Sequence, residues 1–162
     1  MALDMFLDLG PVKGESRDKA YAGKIDILAW SWGVSNSGSA HVGGGIGSGK
    51  ANFQDISLTK YIDLSSSDML KSVSLGTHFP EAKIIVRKAG GESKLEYYTI
   101  TLKEVMVTSY QTGGSGGEDR LTENVTLTFA QVDVKYQAQD AKGGKAGDTK
   151  FAYNIAENAQ AA

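Results

Sequence analysis

The 162 residues include 17 basic and 19 acidic side chains, for a net charge of −2, and 41% of them are hydrophobic. These values are ordinary for one globular domain with its own core, and they exclude the strongly basic surface that nucleic acid or an anionic membrane attracts. The chain has no cysteine, which excludes disulfides, thiolate metal sites and a cysteine nucleophile.

Two strands are predicted in the first 35 residues, at 5–9 and at Lys24–Ser35. The first nine residues have two acids and no basic residue, so no secretory signal is predicted, and no apolar run reaches membrane-spanning length. Alternation gives the second strand a predicted core face with three large side chains: Leu28, Trp30 and Trp32. The opposite face carries two small residues, Ala29 and Ser31. Earlier in the strand the same face carries Ile25 and Ile27, which are apolar, so the alternation between core and surface can change phase before Ala29.

Residues 36–52 form a long glycine-rich loop in which Gly44, Gly49 and Lys50 match the G-x-x-x-x-G-K core of a phosphate-binding loop. The hydroxyl that such a loop needs for magnesium is missing at Ala51, no buried strand precedes the loop, and the alternation after it predicts a strand rather than a helix. We therefore predict an arm that becomes ordered on a partner instead of a nucleotide site. The centre of the arm consists of these residues: His41, Val42, Gly43, Gly44, Gly45, Ile46 and Gly47.

Three further elements precede the C-terminal half of the chain. Alternation predicts strands over 53–61 and 83–88. A helix is predicted over Ser65–Leu75, because serines and Asp68 suit its first turn and Gly76 can end it. The apolar face of this helix carries three residues: Met69, Leu70 and Val73.

The central feature is a pair of long strands, Leu95–Gln111 and Glu123–Gln137, joined by the loop 112–122. Both strands alternate with period two, and each changes phase once, at Lys103-Glu104 and at Ala130-Gln131. If the strands pair antiparallel about the loop, the two phase changes lie opposite each other and form one corner. Such corners build barrels and orthogonal sandwiches, so a mainly β fold is predicted.

The last 25 residues differ in composition from the rest of the chain. From Ala138 to Thr149 the sequence consists mostly of small and polar residues, which predicts a linker or tail, and Phe151–Ile155 is a candidate for one last short strand. The predicted organisation is one β domain over 1–137, followed by a low-complexity linker and C-terminal tail over 138–162.

No catalytic, metal or cofactor site can be assembled from the sequence. The two histidines, His41 and His78, stand apart, and a zinc site would need carboxylates that have no ligand-like spacing. The segment Gly113-Gly-Ser-Gly-Gly117 resembles the nucleophile elbow of a hydrolase only in its glycines. Three acids near Arg120 are most simply part of a solvated loop: Glu118, Asp119 and Glu123. We therefore predict that the protein is not an enzyme and needs no cofactor.

Two functions from other classes remain open on the residues alone. One is a carbohydrate-binding β-sandwich that uses Trp30 and Trp32. Both tryptophans would then have to be exposed, and sugars would quench their fluorescence. The other is a small hydrolase that uses Ser115 or His41, whose turnover would be lost in Ser115→Ala.

Several blocks in a fixed order carry a family resemblance: Ala29-Trp-Ser-Trp-Gly33, the loop 36–52, Phe53-Gln-Asp-Ile-Ser-Leu-Thr-Lys-Tyr61, Arg87-Lys-Ala-Gly-Gly91 and Gly113-Gly-Ser-Gly-Gly-Glu-Asp-Arg-Leu-Thr-Glu-Asn124. From about Met5 to Tyr136 the chain resembles the hemolysin-coregulated protein (Hcp) family, the tube-forming component of the bacterial type VI secretion system. This resemblance implies a β-barrel of two packed antiparallel sheets with one short α-helix alongside, and no catalytic residues.

The same resemblance implies a structural subunit of six-membered rings that stack into a secreted tube. The expected partners are other copies of this chain, the type VI spike and sheath proteins, and small effectors held and protected in the ring lumen, with no nucleic acid and no membrane insertion. The protein is expected in the cytoplasm before the system fires and outside the cell afterwards, without a signal peptide. Ser31 and Ala29 are expected to face the lumen and contact effectors, and residues 41–47 to lie between rings or subunits. A second loop is expected to contribute five residues: Gly113, Gly114, Ser115, Gly116 and Gly117.

Overall fold

The computed structural model describes residues 3–38, 49–88 and 94–161, which form twelve strands and one helix. Within these ranges, no helix has the length and apolar character that crossing a membrane requires. The elements in chain order are β1 (Leu3–Asp8), β2 (Ile25–Asp26), β3 (Ala29–Ser31), β4 (Val34–Asn36), β5 (Ala51–Phe53), β6 (Ile56–Tyr61), α1 (Ser65–Leu75), β7 (His78–Lys88), β8 (Glu96–Thr112), β9 (Thr122–Thr128), β10 (Gln131–Gln139), β11 (Lys145–Asn154) and β12 (Ala159–Gln160).

Ten of the strands form one antiparallel sheet that branches at β8. One path runs β12-β11-β10-β8-β7-β1-β2, and the other continues from the second half of β8 through β9 and β6 to β3. The strands β4 and β5 form a separate two-stranded sheet. The predicted fold class, mainly β with two antiparallel sheets and one short helix, is confirmed, although the sheet does not close as a complete barrel within the described residues.

The predicted corner is confirmed at the point where β8 changes its partner. The strand pairs with β10 up to Lys103 and with β9 from Met106 onward. Between them, Glu104 has a φ of 55°, which is uncommon for a residue with a Cβ, and the N–H of Ala130 donates to the carbonyl of Lys103 at 3.0 Å. The two phase changes in the sequence are therefore one bend, in which β8 faces the break between β9 and β10.

The predicted second strand, Lys24–Ser35, is divided into three short strands. Its first residues pair with β1, and this buries Ile25 and Ile27. The chain then crosses to β6, where the N–H of Leu28 donates to the carbonyl of Thr59 at 2.8 Å. The alternation changes phase at this crossing, so Leu28 is 41% exposed and its predicted place in the core was wrong.

The helix α1 occupies the residues predicted for it. The N-cap residue is Leu64 rather than a serine and makes no side-chain capping bond, while the carboxylate of Asp63 just before it accepts from the N–H of Ser65 at 2.8 Å. Gly76 ends the helix in the left-handed conformation, with φ of 65°. Met69 is fully buried as predicted, whereas Leu70 is 47% exposed and lies outside the core.

The C-terminal residues form a hairpin with β10 where a linker was predicted. The strand β11 pairs with β10 from Asn154, opposite Gln131, to Lys145, opposite Gln139. Its residues from Lys145 to Phe151 are exposed, so backbone hydrogen bonds rather than side-chain burial hold this part of the strand. The linker predicted over 138–149 was therefore wrong at 138–139, which belong to β10, and at 145–149, which belong to β11. The short strand predicted near the end is part of a longer one.

The core joins both branches of the sheet and the helix. Its fully buried side chains come from most of the strands and from α1: Leu7, Ile25, Ile56, Leu58, Met69, Ile84, Ile100, Leu102 and Leu127. Burying one side chain of this size contributes about 1.5–3 kcal/mol, so these positions determine which face of each strand points inward. The alternate positions are left on the outer surface, where the candidate site lies.

Candidate functional site

A small polar surface covers the outer side of the branch formed by β3, β6, β9 and the second half of β8. The strand register places its residues in two rows across the four strands. We name the eight residues of these rows the polar face: Ala29, Thr59, Asn124 and Gln111 in the first row, and Ser31, Ser57, Thr126 and Ser109 in the second. These side chains are uncharged and mostly small, so the polar face is a neutral surface rich in hydroxyl groups.

Alternation within each strand explains why this surface forms. In β6, Ser57 and Thr59 alternate with Ile56 and Leu58, which are buried. Because side chains point to opposite faces in turn, burial of the apolar set places the hydroxyl set outside. The structure places the predicted Ala29 and Ser31 among the exposed residues of this face. The other six residues were not predicted from the sequence, although the same alternation in β6 and β9 could have indicated those on these two strands.

Hydrogen bonds hold part of the polar face in place. The Thr59 hydroxyl donates to the Asn124 side-chain carbonyl at 2.8 Å, and the hydroxyls of Ser109 and Thr126 share a hydrogen bond of 2.7 Å. In the part of the chain that the structure describes, the hydroxyl of Ser31 makes no such bond. As an exposed hydroxyl it can donate to, or accept from, a molecule that approaches the face.

The arm and the second loop leave this branch at opposite ends. The chain runs from Ser31 through β4 into the arm, and Ser31 pairs with Ser57 near the start of β6. The second loop leads into Thr122, which pairs with Tyr61 at the end of β6. The two ends are thus separated by about 13 Å along β6, at about 3.3 Å per residue.

The base of the arm is the ribbon of β4 and β5. The side chain of Asn36 joins its two sides, because its amide donates to the Gly49 carbonyl at 2.7 Å and its oxygen accepts from the Gly49 N–H at 3.0 Å. The predicted contact residues of the arm, 41–47, lie outside the described residues. Their contacts therefore stay a prediction.

The second loop is exposed throughout its glycine-rich part, Gly113–Gly117. The end of the loop is hydrogen-bonded to the residue that follows β6, because the N–H of Ile62 donates to the carbonyl of Leu121 at 3.0 Å. Three exposed apolar side chains lie at this end, and we name them the apolar end patch: Ile62 (39% exposed), Leu64 (67%) and Leu121 (42%). His78 pairs with Met106, about 20 Å along β8 from the start of the loop, so it is not placed to activate Ser115.

Trp30 and Trp32 pack against the core and are half-buried. The ring of Trp30 stacks on Tyr98 with centroids 5.8 Å apart. The ring of Trp32 stacks on Phe53 at 6.0 Å and meets Phe129 edge-on at 6.1 Å. A sugar-binding platform needs an open indole face, so this packing favours a core role for both tryptophans.

A buried ionic network lies beneath the second loop. Lys60 and Glu123 are both fully buried and form an ion pair. The Lys60 ammonium also donates to the Asp63 carboxylate at 3.0 Å and to the Tyr61 carbonyl at 2.9 Å. The prediction of a solvated Glu123 was wrong, because this residue belongs to β9 and points to the same face as the buried Val125.

Two hydroxyl groups complete this network by donating to the carboxylate of Glu123. Ser66, in the first turn of α1, donates at 2.9 Å, and Tyr110 of β8 donates to the other oxygen. Burial, followed by the hydrogen bond to Glu123, raises the pKa of Tyr110 to about 12. The network therefore joins β6, β8, β9 and the start of the helix.

A second buried cation, Arg87, connects β7 with β1 and the loop that follows it. Its guanidinium donates to Asp4 at 2.9 Å and to Asp18 at 3.1 Å, and it lies over the rings of Phe6 and Tyr21 at 5.2 and 5.6 Å. The hydrogen bond from Arg87 lowers the pKa of Asp18 to about 2. Among the described residues, no group of three or more histidines or acids is arranged to hold a metal ion.

Known proteins resemble this chain in both sequence and structure. Residues 6–136 match the family described as type VI secretion system effector, Hcp. The chain is 61% identical over 162 residues to protein hcp1 of Pseudomonas aeruginosa, an alignment that covers 99% of this chain and 100% of the relative. The fold matches a type six secretion system protein with a TM-score of 0.93 and Hcp1 from Salmonella typhimurium with a TM-score of 0.78, each at 28% identity over 99% of this chain and 100% of the other. As its sequence blocks predicted, the chain belongs to the Hcp family of type VI secretion system proteins.

Proposed function

We propose that this protein is a structural subunit of the type VI secretion tube, that it forms hexameric rings, and that the rings stack and hold small effector proteins against the polar face. In this role it catalyses no reaction of its own. Its partners are other copies of the chain, the spike and sheath proteins and the effectors. It resides in the cytoplasm until the system fires and is outside the cell afterwards.

The polar face is the observation that carries the effector role. A surface that binds different proteins and then releases them needs hydrogen-bonding groups. A strong charge or a large apolar area on that surface would favour particular effectors over others. The exposed hydroxyl of Ser31 offers one such group, and the methyl of Ala29 in the neighbouring row allows a close approach.

The arrangement of the two loops supports the stacking of rings. A contact between different surfaces of identical subunits can repeat without limit, provided that the two surfaces lie at opposite ends. The arm leaves one end of the branch and the apolar end patch lies at the other. We place the arm of one ring, with Val42 and Ile46 as its apolar anchors, on the apolar end patch of the next ring.

The assembly is tested by light scattering at micromolar protein concentration. The expected mass is six times the 17.2 kDa of the chain, because a closed ring covers the exposed strand edges of every subunit. A monomer at every concentration would contradict the ring and, with it, the existence of a lumen.

The effector role is tested with Ser31→Gln, and Ser67→Gln on the exposed surface of α1 is the matched control. The longer side chain displaces cargo from the polar face and removes the Ser31 hydroxyl, so we expect retention of a ring-bound effector to fall by about 5–30-fold while the hexamer is unchanged. The measurement is the amount of effector that copurifies with each ring. Normal retention in Ser31→Gln would refute the role of the polar face, and loss of the hexamer would place Ser31 in a contact between subunits.

A further inference from the structure

The base of the arm receives little hydrogen-bonded support from the main sheet. The strands β4 and β5 have three residues each and form a sheet of their own. The N–H of Gln54 donates to the carbonyl of Gly33 at 3.0 Å, and the indole N–H of Trp32 donates to the carbonyl of Gln54 at 3.0 Å. These bonds join the two sides of the arm to each other rather than to the main sheet. A two-stranded ribbon of this size is marginal in water when nothing else packs on it.

A row of five aromatic rings connects this base to the rest of the fold: Phe129, Trp32, Phe53, Tyr153 and Phe151. Successive ring centroids are 6.1, 6.0, 5.0 and 6.2 Å apart. The row begins at the buried corner and ends at the exposed outer part of β11. Within it, Phe53 of β5, at the base of the arm, lies between Trp32 and Tyr153, and the contact with Tyr153 is the shortest of the four.

Tyr153 is itself held firmly by the core, although most of its strand is exposed. It pairs with Val132, which is buried, and its hydroxyl donates to Asn158 at 2.7 Å. Just beyond β11, the N–H of Ile155 donates to the carbonyl of Ala130 at the corner, at 2.8 Å. The ring of Tyr153 is therefore a fixed surface against which Phe53 can rest.

We propose that the C-terminal strand β11 acts as a clamp on the arm and that Tyr153 is the residue that positions it, through Phe53. The C-terminal segment is then part of the machinery of ring stacking rather than a tail. This inference rests on the proposed role of the arm between rings. The clamp acts at the base of the arm, so its effect there can be measured independently of ring stacking.

The direct test is hydrogen exchange at the amides of 34–36 and 51–53, measured in the intact protein. Tyr153→Ala removes two of the four ring contacts, and we expect exchange at these amides to become about tenfold faster, with the core strands unchanged. Tyr153→Phe keeps the ring and should restore the rate of the unaltered protein. The matched control is Tyr136→Ala, which removes an exposed tyrosine of β10 that contacts Tyr97 outside the row.

Ring stacking and export by the type VI system are measured on the same variants. Faster exchange at the arm together with loss of tubes supports both the clamp and the proposed role of the arm. Faster exchange at the arm with normal tubes and export supports the clamp but contradicts the proposed role of the arm in stacking. Unchanged exchange at the arm overturns the clamp, whatever happens to export. If Tyr153→Ala fails to fold, Tyr153→Leu keeps the apolar volume without the ring, and the same outcomes apply to it.

Discussion

Replacing Lys60 by methionine tests the buried ionic network most directly. The Lys60 ammonium donates to Tyr61, Asp63 and Glu123, and the side chains of Lys60 and Glu123 are 0% exposed. Lys60→Met keeps most of the side-chain volume but leaves two carboxylates buried side by side without their cation. Removing one partner of a buried ion pair costs about 3–5 kcal/mol, because the remaining charge cannot be solvated. The hydroxyls of Ser66 and Tyr110 do not offset this cost, because they already bond Glu123 in the unaltered protein.

The assay is equilibrium unfolding in urea, followed by the fluorescence of Trp30 and Trp32. With a slope of about 2 kcal/mol per molar urea, the loss of 3–5 kcal/mol lowers the midpoint by about 1.5–2.5 M. The concentration of protomer must be equal in all samples, since assembly adds to the apparent stability. The slope should stay the same, because the mutation changes the free energy of unfolding and not the surface that unfolding exposes.

Two controls separate the charge from the packing. Glu123→Gln leaves Lys60 paired with Asp63, so we expect the smaller cost of about 1–3 kcal/mol for an altered buried hydrogen bond. The double variant Lys60→Met, Glu123→Leu removes both members of the pair and should be more stable than Lys60→Met alone. A loss below about 1 kcal/mol in Lys60→Met, or a double variant less stable than Lys60→Met alone, would refute the electrostatic argument.

Two further predictions concern pH. Arg87 lowers the pKa of Asp18 from 3.8 to about 2, so Asp18 stabilises the fold above about pH 4 and this contribution is lost as the pH falls through 2. Asp18→Asn should lower Tm at pH 7 and flatten the dependence of Tm on pH between 4 and 2; an unchanged profile would contradict this. Burial and Glu123 raise the pKa of Tyr110 from 10 to about 12, so the contribution of its protonated phenol is present below pH 10 and lost as the pH rises through 12. The Tm difference between the unaltered protein and Tyr110→Phe should therefore shrink over that range, and a constant difference would contradict the assignment.

The corner between Lys103 and Ala130 could be predicted from the sequence because its signal is local. The direction of each side chain in a strand follows from its neighbours in the chain, so a fault in the alternation marks a bend wherever the strand lies. The helix α1 was predicted to the residue for a similar reason. Its apolar spacing and its terminal Gly76 act within one or two turns.

The outer part of β11, from Lys145 to Lys150, could not be predicted, because its side chains carry no signal of burial. From Lys145 to Phe151 the residues are exposed, and the strand exists through backbone bonds to β10. Backbone groups are the same in every residue, so composition alone cannot distinguish an exposed paired strand from a linker. Leu28 was misplaced for a related reason, since the crossing from β1 to β6 depends on which strands are neighbours.

The sequence by itself determined the alternation within most strands, and so identified Ala29 and Ser31 as residues of one face. Only the tertiary structure decided that Ser31 lies in a row with Ser57 and that Lys60 meets Glu123, which is 63 positions away in the chain. Strand order and register result from burying the apolar faces of all strands at once, and that condition belongs to the whole chain rather than to any segment.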